Sequence, residues 1–166
     1  TLNVPLIVGF GEACALAKED MKEEMEREMK LRDKLRDAIL ARLDHVYVNG
    51  HPTRRLPNNL NVSFEFVEGE GLLMGVPDLA VSSGSACTSA SLEPSYVIRA
   101  LGVNEELAHS SLRFGLGRDT TEEDVDRAVD SIVKAVNRLR EMSPLYEMAQ
   151  KGIDLKTIQW TAGDLK

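Results

Sequence analysis

Leu60-Asn61-Val62-Ser63-Phe64-Glu65-Phe66 alternates apolar and polar side chains without a break, the clearest strand signal in the 166-residue chain. Leu60, Val62, Phe64 and Phe66 share one face, and Asn61, Ser63 and Glu65 share the other. A strand that is polar on one side belongs to a sheet that helices cover on one side only. Further along, Ser111-Leu112-Arg113-Phe114-Gly115-Leu116 repeats the alternation. It groups Leu112, Phe114 and Leu116 and leaves Arg113 on the opposite face. His45-Val46-Tyr47-Val48 reads as a short strand ended by the turn pair Asn49-Gly50. Leu79-Ala80-Val81 reads as a short buried strand.

Helical spacing fills much of the rest. Over residues 8–43, Ala17, Met21 and Met25, and then Leu31, Leu35, Ala38 or Ile39, and Leu43, recur at steps of three and four, with charged residues between them. Such a helix would run roughly 50 Å. That is long for a globular domain and reads as a strut joining two domains or subunits; its heptads are too irregular for a free-standing coiled coil. Shorter helices are expected over 71–76, 95–101 and 105–108. Thr120-Thr121-Glu122-Glu123 reads as a capping box for a helix whose apolar stripe is Val125, Ala128, Val129, Ile132, Val133, Val136 and Leu139. Pro144 opens a last short helix, and residues 153–166 form a polar tail. The sum is an α+β fold: a long helix over 1–44, then a small domain over 45–152 with a mostly antiparallel sheet and helices on one face.

Composition narrows the function. The net charge of −7, with no basic cluster, argues against nonspecific binding of nucleic acid or anionic membrane. No apolar run approaches the roughly 18 residues of a membrane span. The sequence opens on Thr1 rather than Met, no signal peptide is expected, and the true start of the protein is expected upstream. Cys14 and Cys87 lie far apart, which fits a reducing compartment rather than a disulfide framework. Cys14, in a helical stretch, is expected to be a small packed hydrophobe. His45, His51 and His109 have no zinc-ligand spacing, and no metal site is expected.

Cys87 stands apart. It sits in Ser82-Ser83-Gly84-Ser85-Ala86-Cys87-Thr88-Ser89-Ala90-Ser91, a run of small side chains between an apolar stretch and the helix announced by Leu92-Glu93-Pro94-Ser95. A thiol on a loop between two rigid elements is where reacting groups tend to sit. The plainer alternative is a Ser-rich connector with a chance cysteine. Side chains this small do not offset the cost of ordering the backbone, about 1–2 kcal/mol per residue, so residues 83–91 are expected to be mobile. A free thiol, with pKa about 8.5, is only a few per cent thiolate at neutral pH. No Lys, Arg or His lies in the loop, so any activating group must come from elsewhere in the fold. Without a second nearby thiol, Cys-x-x-Cys redox chemistry is excluded. Arg113, alternating out of an apolar strand, has the two-pronged geometry that grips a carboxylate. Its alternative is a surface or ion-paired arginine.

The run Ser82-Ser83-Gly84-Ser85-Ala86-Cys87-Thr88-Ser89-Ala90-Ser91-Leu92-Glu93-Pro94-Ser95-Tyr96-Val97 resembles the active-cysteine segment of group I cysteine desulfurases. The resemblance extends through Gly11-Glu12-Ala13, Leu60-Asn61-Val62-Ser63-Phe64, Val67-Glu68-Gly69-Glu70, Leu107-Ala108-His109-Ser110-Ser111, Arg113-Phe114 and Arg138-Leu139-Arg140, essentially from end to end. It implies a pyridoxal-phosphate enzyme of the class V aminotransferase-like family on a fold-type-I scaffold, working as a homodimer. The reaction implied converts L-cysteine to L-alanine and leaves a persulfide on Cys87. That persulfide serves an iron–sulfur scaffold protein and other sulfur acceptors, where Cys87 would transiently contact the cluster. By the same resemblance Arg113 clamps the substrate carboxylate and Thr1 reaches the cofactor phosphate of the neighbouring subunit. The family's Schiff-base lysine follows a histidine, and no His-Lys pair occurs here. The resemblance therefore implies a C-terminal portion, residues 1–44 connecting from a large domain, with an isolated chain that is inactive. Gly71, Gly75 and Pro77 replace better helix formers usual after the Glu-Gly-Glu. The implied compartment is the bacterial cytoplasm, with the mitochondrial matrix as the alternative. Rival readings are a selenocysteine lyase-like enzyme, which the long Ser-rich loop opposes, and a noncatalytic sulfur-acceptor or docking module.

Overall fold

The computed structural model describes residues 1–83 and 95–153. Strand β2 (Asn59–Phe64) lies inside a four-stranded antiparallel sheet with β1 (Val46–Val48), β3 (Ser82–Ser83) and β4 (Ser111–Gly115), in the order β1-β2-β4-β3. Leu60 pairs with Phe114 and Val62 with Leu112. With Phe64 they make the apolar face, and all five side chains are buried. Against that face pack the C-terminal half of α1 (Val4–Arg42), α2 (Gly69–Met74) and α5 (Glu122–Glu141). The core joins Leu31, Leu35 and Ile39 of α1 to Val125, Val129, Ile132, Val133 and Val136 of α5. The α+β architecture with its helical layer on the apolar face is as the alternation requires. On the polar face, α4 (Glu105–His109) closes one end, where Ser63 and Ser111 are buried and the Ser111 hydroxyl donates to the Ala108 carbonyl at 2.9 Å. Gly69 starts α2 so close to α4 that a Cβ there would lie 2.0 Å from the His109 carbonyl oxygen. Short α3 (Tyr96–Ala100) precedes α4, and α6 (Pro144–Gln150) follows α5.

Helix α1 runs 39 residues, with the Asn3 side chain capping its first turn. No residue from Val4 to Lys30 is buried, and Val4, Leu6, Ile7, Val8, Phe10 and Met21 are all exposed. Cys14 lies on this projecting half and is exposed, not packed as expected. Leu79–Val81 is not a strand either. The Leu79 and Val81 amides donate to the carbonyls of Val76 and Leu79 within turns, which removes them from a ladder. The strand starts immediately after that stretch, at Ser82. β2 stops at Phe64, because Phe66 adopts a left-handed backbone (φ 66°) that turns the chain. The capping box is also shifted by one. Thr121 caps α5 with Asp124, while the Thr120 hydroxyl is occupied accepting the Gly117 N–H at 2.9 Å.

Near the end of α5, Arg140 is a buried cation with only 1% of its side chain exposed. Its guanidinium donates to Asp44 Oδ1 at 2.9 Å and to the carbonyls of Asp44, His45 and Glu65 at 2.9 to 3.2 Å. Tyr146 of α6 lies under it, 5.0 Å from ring centroid to guanidinium carbon. Arg140→Ala strands several carbonyls and opens a cavity, which together cost about 3–5 kcal/mol. Urea unfolding followed by circular dichroism should show that loss, and a change under about 1 kcal/mol would make the cluster incidental.

Asp124 carries a second, pH-dependent contribution. Its carboxyl is held at about 2, below the ordinary 3.8, chiefly by the Thr121 hydroxyl, then by the Thr121 N–H and the Arg127 guanidinium. A depressed folded-state pKa gives stability that is present above about pH 4 and disappears as pH falls through about 2. Between those values the stability gap between the parent and Asp124→Asn should close. A gap constant over that range would show that the carboxylate does not cap the helix in solution.

Candidate functional site

The polar face of the sheet brings three side chains into one row. Asn61 of β2 is the register partner of Arg113 on β4, and Ser82 of β3 is the partner of Arg113 on its other flank. Neighbours in such a row have Cβ atoms about 4.5–5.5 Å apart. Arg113 is exposed, and no other described residue hydrogen-bonds or ion-pairs with its guanidinium. Arg54, Arg99 and Arg138 likewise show no side-chain partner among the described residues, whereas other arginines are engaged. Arg118 pairs with Asp20 at 3.4 Å and with Glu24, while Arg27 donates to the carbonyls of Thr120 at 2.7 Å, Gly117 at 3.1 Å and Arg118.

Ser82 and Ser83 are also the root of the cysteine segment. Cys87 itself, and most of the loop expected to be mobile, lie outside the described residues. On the far side Ser95 is buried just ahead of α3. The strand pairing therefore sets the base of the thiol-bearing segment directly beside Arg113. Thr1 is not brought to this place. It is exposed just ahead of α1, past about 24 Å of helix beyond Asp20, the earliest α1 residue in an ion pair among the described residues.

A pyridoxal-phosphate site requires a sheltered amine and a cradle of donors for the phosphate. The described lysines do not supply the amine. None is buried, and Lys34 is pushed the wrong way, its pKa raised by its hydrogen bond to Asp126. No buried side-chain nitrogen or oxygen among the described residues lacks a partner. No described lysine stands in a sheltered setting suited to a Schiff base. No metal-binding cluster occurs among the described residues, and no described helix is long and apolar enough to cross a membrane.

Sequence reading isolated Arg113 and Cys87 but missed Asn61 and Asn49. Asn49 is buried, and its amide nitrogen donates to Asn61 Oδ1 at 2.6 Å and to Ser63 Oγ at 2.8 Å. The signal was present in the alternation, which puts Asn61 on the polar face. The register that sets it opposite Arg113 was not.

The match to known proteins is extensive. The Aminotransferase class-V family model matches residues 1–128. Cysteine desulfurase IscS of Anaeromyxobacter sp. (strain Fw109-5) is 61% identical over 160 residues, covering 96% of this chain and 40% of that protein. The mitochondrial cysteine desulfurase of Arabidopsis thaliana is 58% identical over 155 residues, covering 93% of this chain and 34% of that one. Among solved structures, the NifS-like protein from Rickettsia africae ESF-5 superposes with a TM-score of 0.71 at 28% identity, over 82% of this chain and 36% of that chain. The chain thus spans about two fifths of the length of the relatives it matches, or somewhat less. Bacterial and mitochondrial proteins both occur among them. With more than three quarters of its residues matched by one family model, the chain belongs to the aminotransferase class-V family.

Proposed function

We propose that this chain is the C-terminal portion of a cysteine desulfurase, comprising a connecting helix over 1–44, a small domain over 45–152 with the cysteine loop 82–91, and a tail over 153–166. The observation that carries the reading is the pairing of Ser82 with Arg113, which roots the Cys87 segment next to a guanidinium without a partner among the described residues. Arg113 takes the carboxylate of L-cysteine in a two-pronged, charge-assisted contact. Cys87 is four residues beyond Ser83, so at roughly 3.4 Å per residue its sulfur can travel within about 14 Å of the strand end. That length suffices to meet a substrate held at Arg113 and then to turn outward to an acceptor.

The Cys87 thiolate attacks the substrate sulfur and forms an S–S bond. The Cβ–S bond breaks, its electron pair stays with carbon, and a proton taken up there completes L-alanine. Cys87 is left as a persulfide, and an acceptor thiolate removes the outer sulfur and restores the Cys87 thiolate. Pyridoxal phosphate, when bound, would supply the electron sink that makes the carbon–sulfur bond breakable. Acceptors include an iron–sulfur scaffold protein. The working unit is a homodimer in which Thr1 reaches the neighbouring subunit's cofactor phosphate, and the compartment is the bacterial cytoplasm or the mitochondrial matrix.

The test is made in the full-length enzyme. Cys87→Ser should keep the cofactor's absorbance and its response to L-cysteine yet form no protein persulfide, since a neutral hydroxyl does not replace a thiolate in attack on sulfur. Persulfide labelling that survives the substitution would overturn the assignment. Arg113→Ala should raise KM for L-cysteine about 10- to 150-fold, corresponding to about 1.5–3 kcal/mol. An unchanged kcat/KM would make Arg113 a structural residue.

A further inference from the structure

We propose that Asn61 is a second substrate-binding residue, its side-chain amide donating to the same carboxylate that Arg113 holds. The inference rests on the reading of Arg113 as the carboxylate clamp and extends it to a neighbour on the adjacent strand. The geometry begins at Asn49. Its buried amide nitrogen gives one hydrogen to Asn61 Oδ1 at 2.6 Å and the other to Ser63 Oγ at 2.8 Å. That bond engages the Asn61 oxygen on the β1 side and leaves its NH2 as the unused donor of the amide. Asn49 is held in turn, its N–H donating to the Asn61 carbonyl at 2.9 Å and its carbonyl accepting from Arg55 Nη2 at 2.9 Å.

On the β4 side the register partner of Asn61 is Arg113. A guanidinium and an amide NH2 are both donors and satisfy nothing in each other. No described residue accepts from either the Asn61 amide nitrogen or Arg113. The Asn61 side chain is half-buried while Arg113 is exposed, so the row runs from a rigid, buried anchor to an open donor pair. Two convergent donors, one of them charged, match the two oxygens of a carboxylate. Asn49 is then a positioning residue, acting on the substrate only through the orientation of the Asn61 amide.

In the cofactor-loaded, full-length enzyme, Asn61→Ala should raise both KM for L-cysteine and the inhibition constant of L-alanine about tenfold or more, with kcat within about threefold. Asn61→Asp is nearly isosteric and covers the case in which the alanine variant fails to fold. Its carboxylate would occupy Arg113, and it should raise both constants further. Values within twofold of the parent in a folded Asn61→Ala enzyme, or in Asn61→Asp, would overturn the proposal. Arg113→Ala, measured alongside, separates the two failures. If it raises both constants and the Asn61 variants do not, Asn61 alone is removed from the site. If it changes neither, the carboxylate clamp itself falls, and Asn61 with it.

Discussion

A buried guanidinium at the crossing of four chain segments sets the frame for everything else. Arg140 gathers carbonyls from Asp44 and His45, where α1 has ended and β1 begins, and from Glu65, where β2 has ended. Both left-handed, non-glycine residues of the described chain adjoin this point: His45 at φ 48° and Phe66 at φ 66°. Such backbone costs about 1–3 kcal/mol per residue and persists only where its surroundings over-determine it. Here the hydrogen bonds of one cation fix the carbonyl of His45 and those just before His45 and Phe66. The rings of His45, Phe66 and Tyr146 pack edge-on or tilted at centroid distances of 5.1 to 6.3 Å and shelter the cluster.

That junction decides where β1 and β2 lie relative to the helices, and so what the sheet's polar face presents. With β1 in place, Asn49 follows its last residue and reaches Asn61. With β2 in place, β4 and then β3 add in register, and Arg113 stands between Asn61 and Ser82. The apolar face supplies stability and the polar face supplies chemistry, a division that a half-covered antiparallel sheet permits. Burial of Leu60, Val62, Phe64, Leu112 and Phe114 makes the strands that carry the polar row rigid.

The attachment of α1 to α5 shows which contacts matter. Lys34 reaches Glu122 and Asp126, and Arg42 reaches Asp130, but these pairs are largely exposed and each is worth little in water. The apolar seam of Leu31, Leu35 and Ile39 against α5 does the holding. Arg27 adds direction rather than strength, because its carbonyl contacts tie the loop after β4 to the helix.

Local periodicity determined a good part of this protein. The two-residue alternation of β2 and β4, the stripe of α5 and the inner stripe of α1 follow from side chains that repeat with the backbone geometry, and they needed no partner to be read. The candidate residues Cys87 and Arg113 were legible for a similar reason: a thiol in a small-residue loop and a charge in an apolar strand are local contrasts. Tertiary structure alone decided the rest. Which threonine caps α5 depended on Gly117 taking the hydroxyl of Thr120. The burial of Arg140 depended on carbonyls contributed from remote positions, whereas a charged residue late in a helix reads as solvated. Cys14 is exposed because the half of α1 that bears it extends past the sheet layer, a matter of where the core stops and not of composition. The row Asn61–Arg113–Ser82 exists only through strand register, and register is fixed by pairing between segments far apart in the chain, which no local pattern encodes.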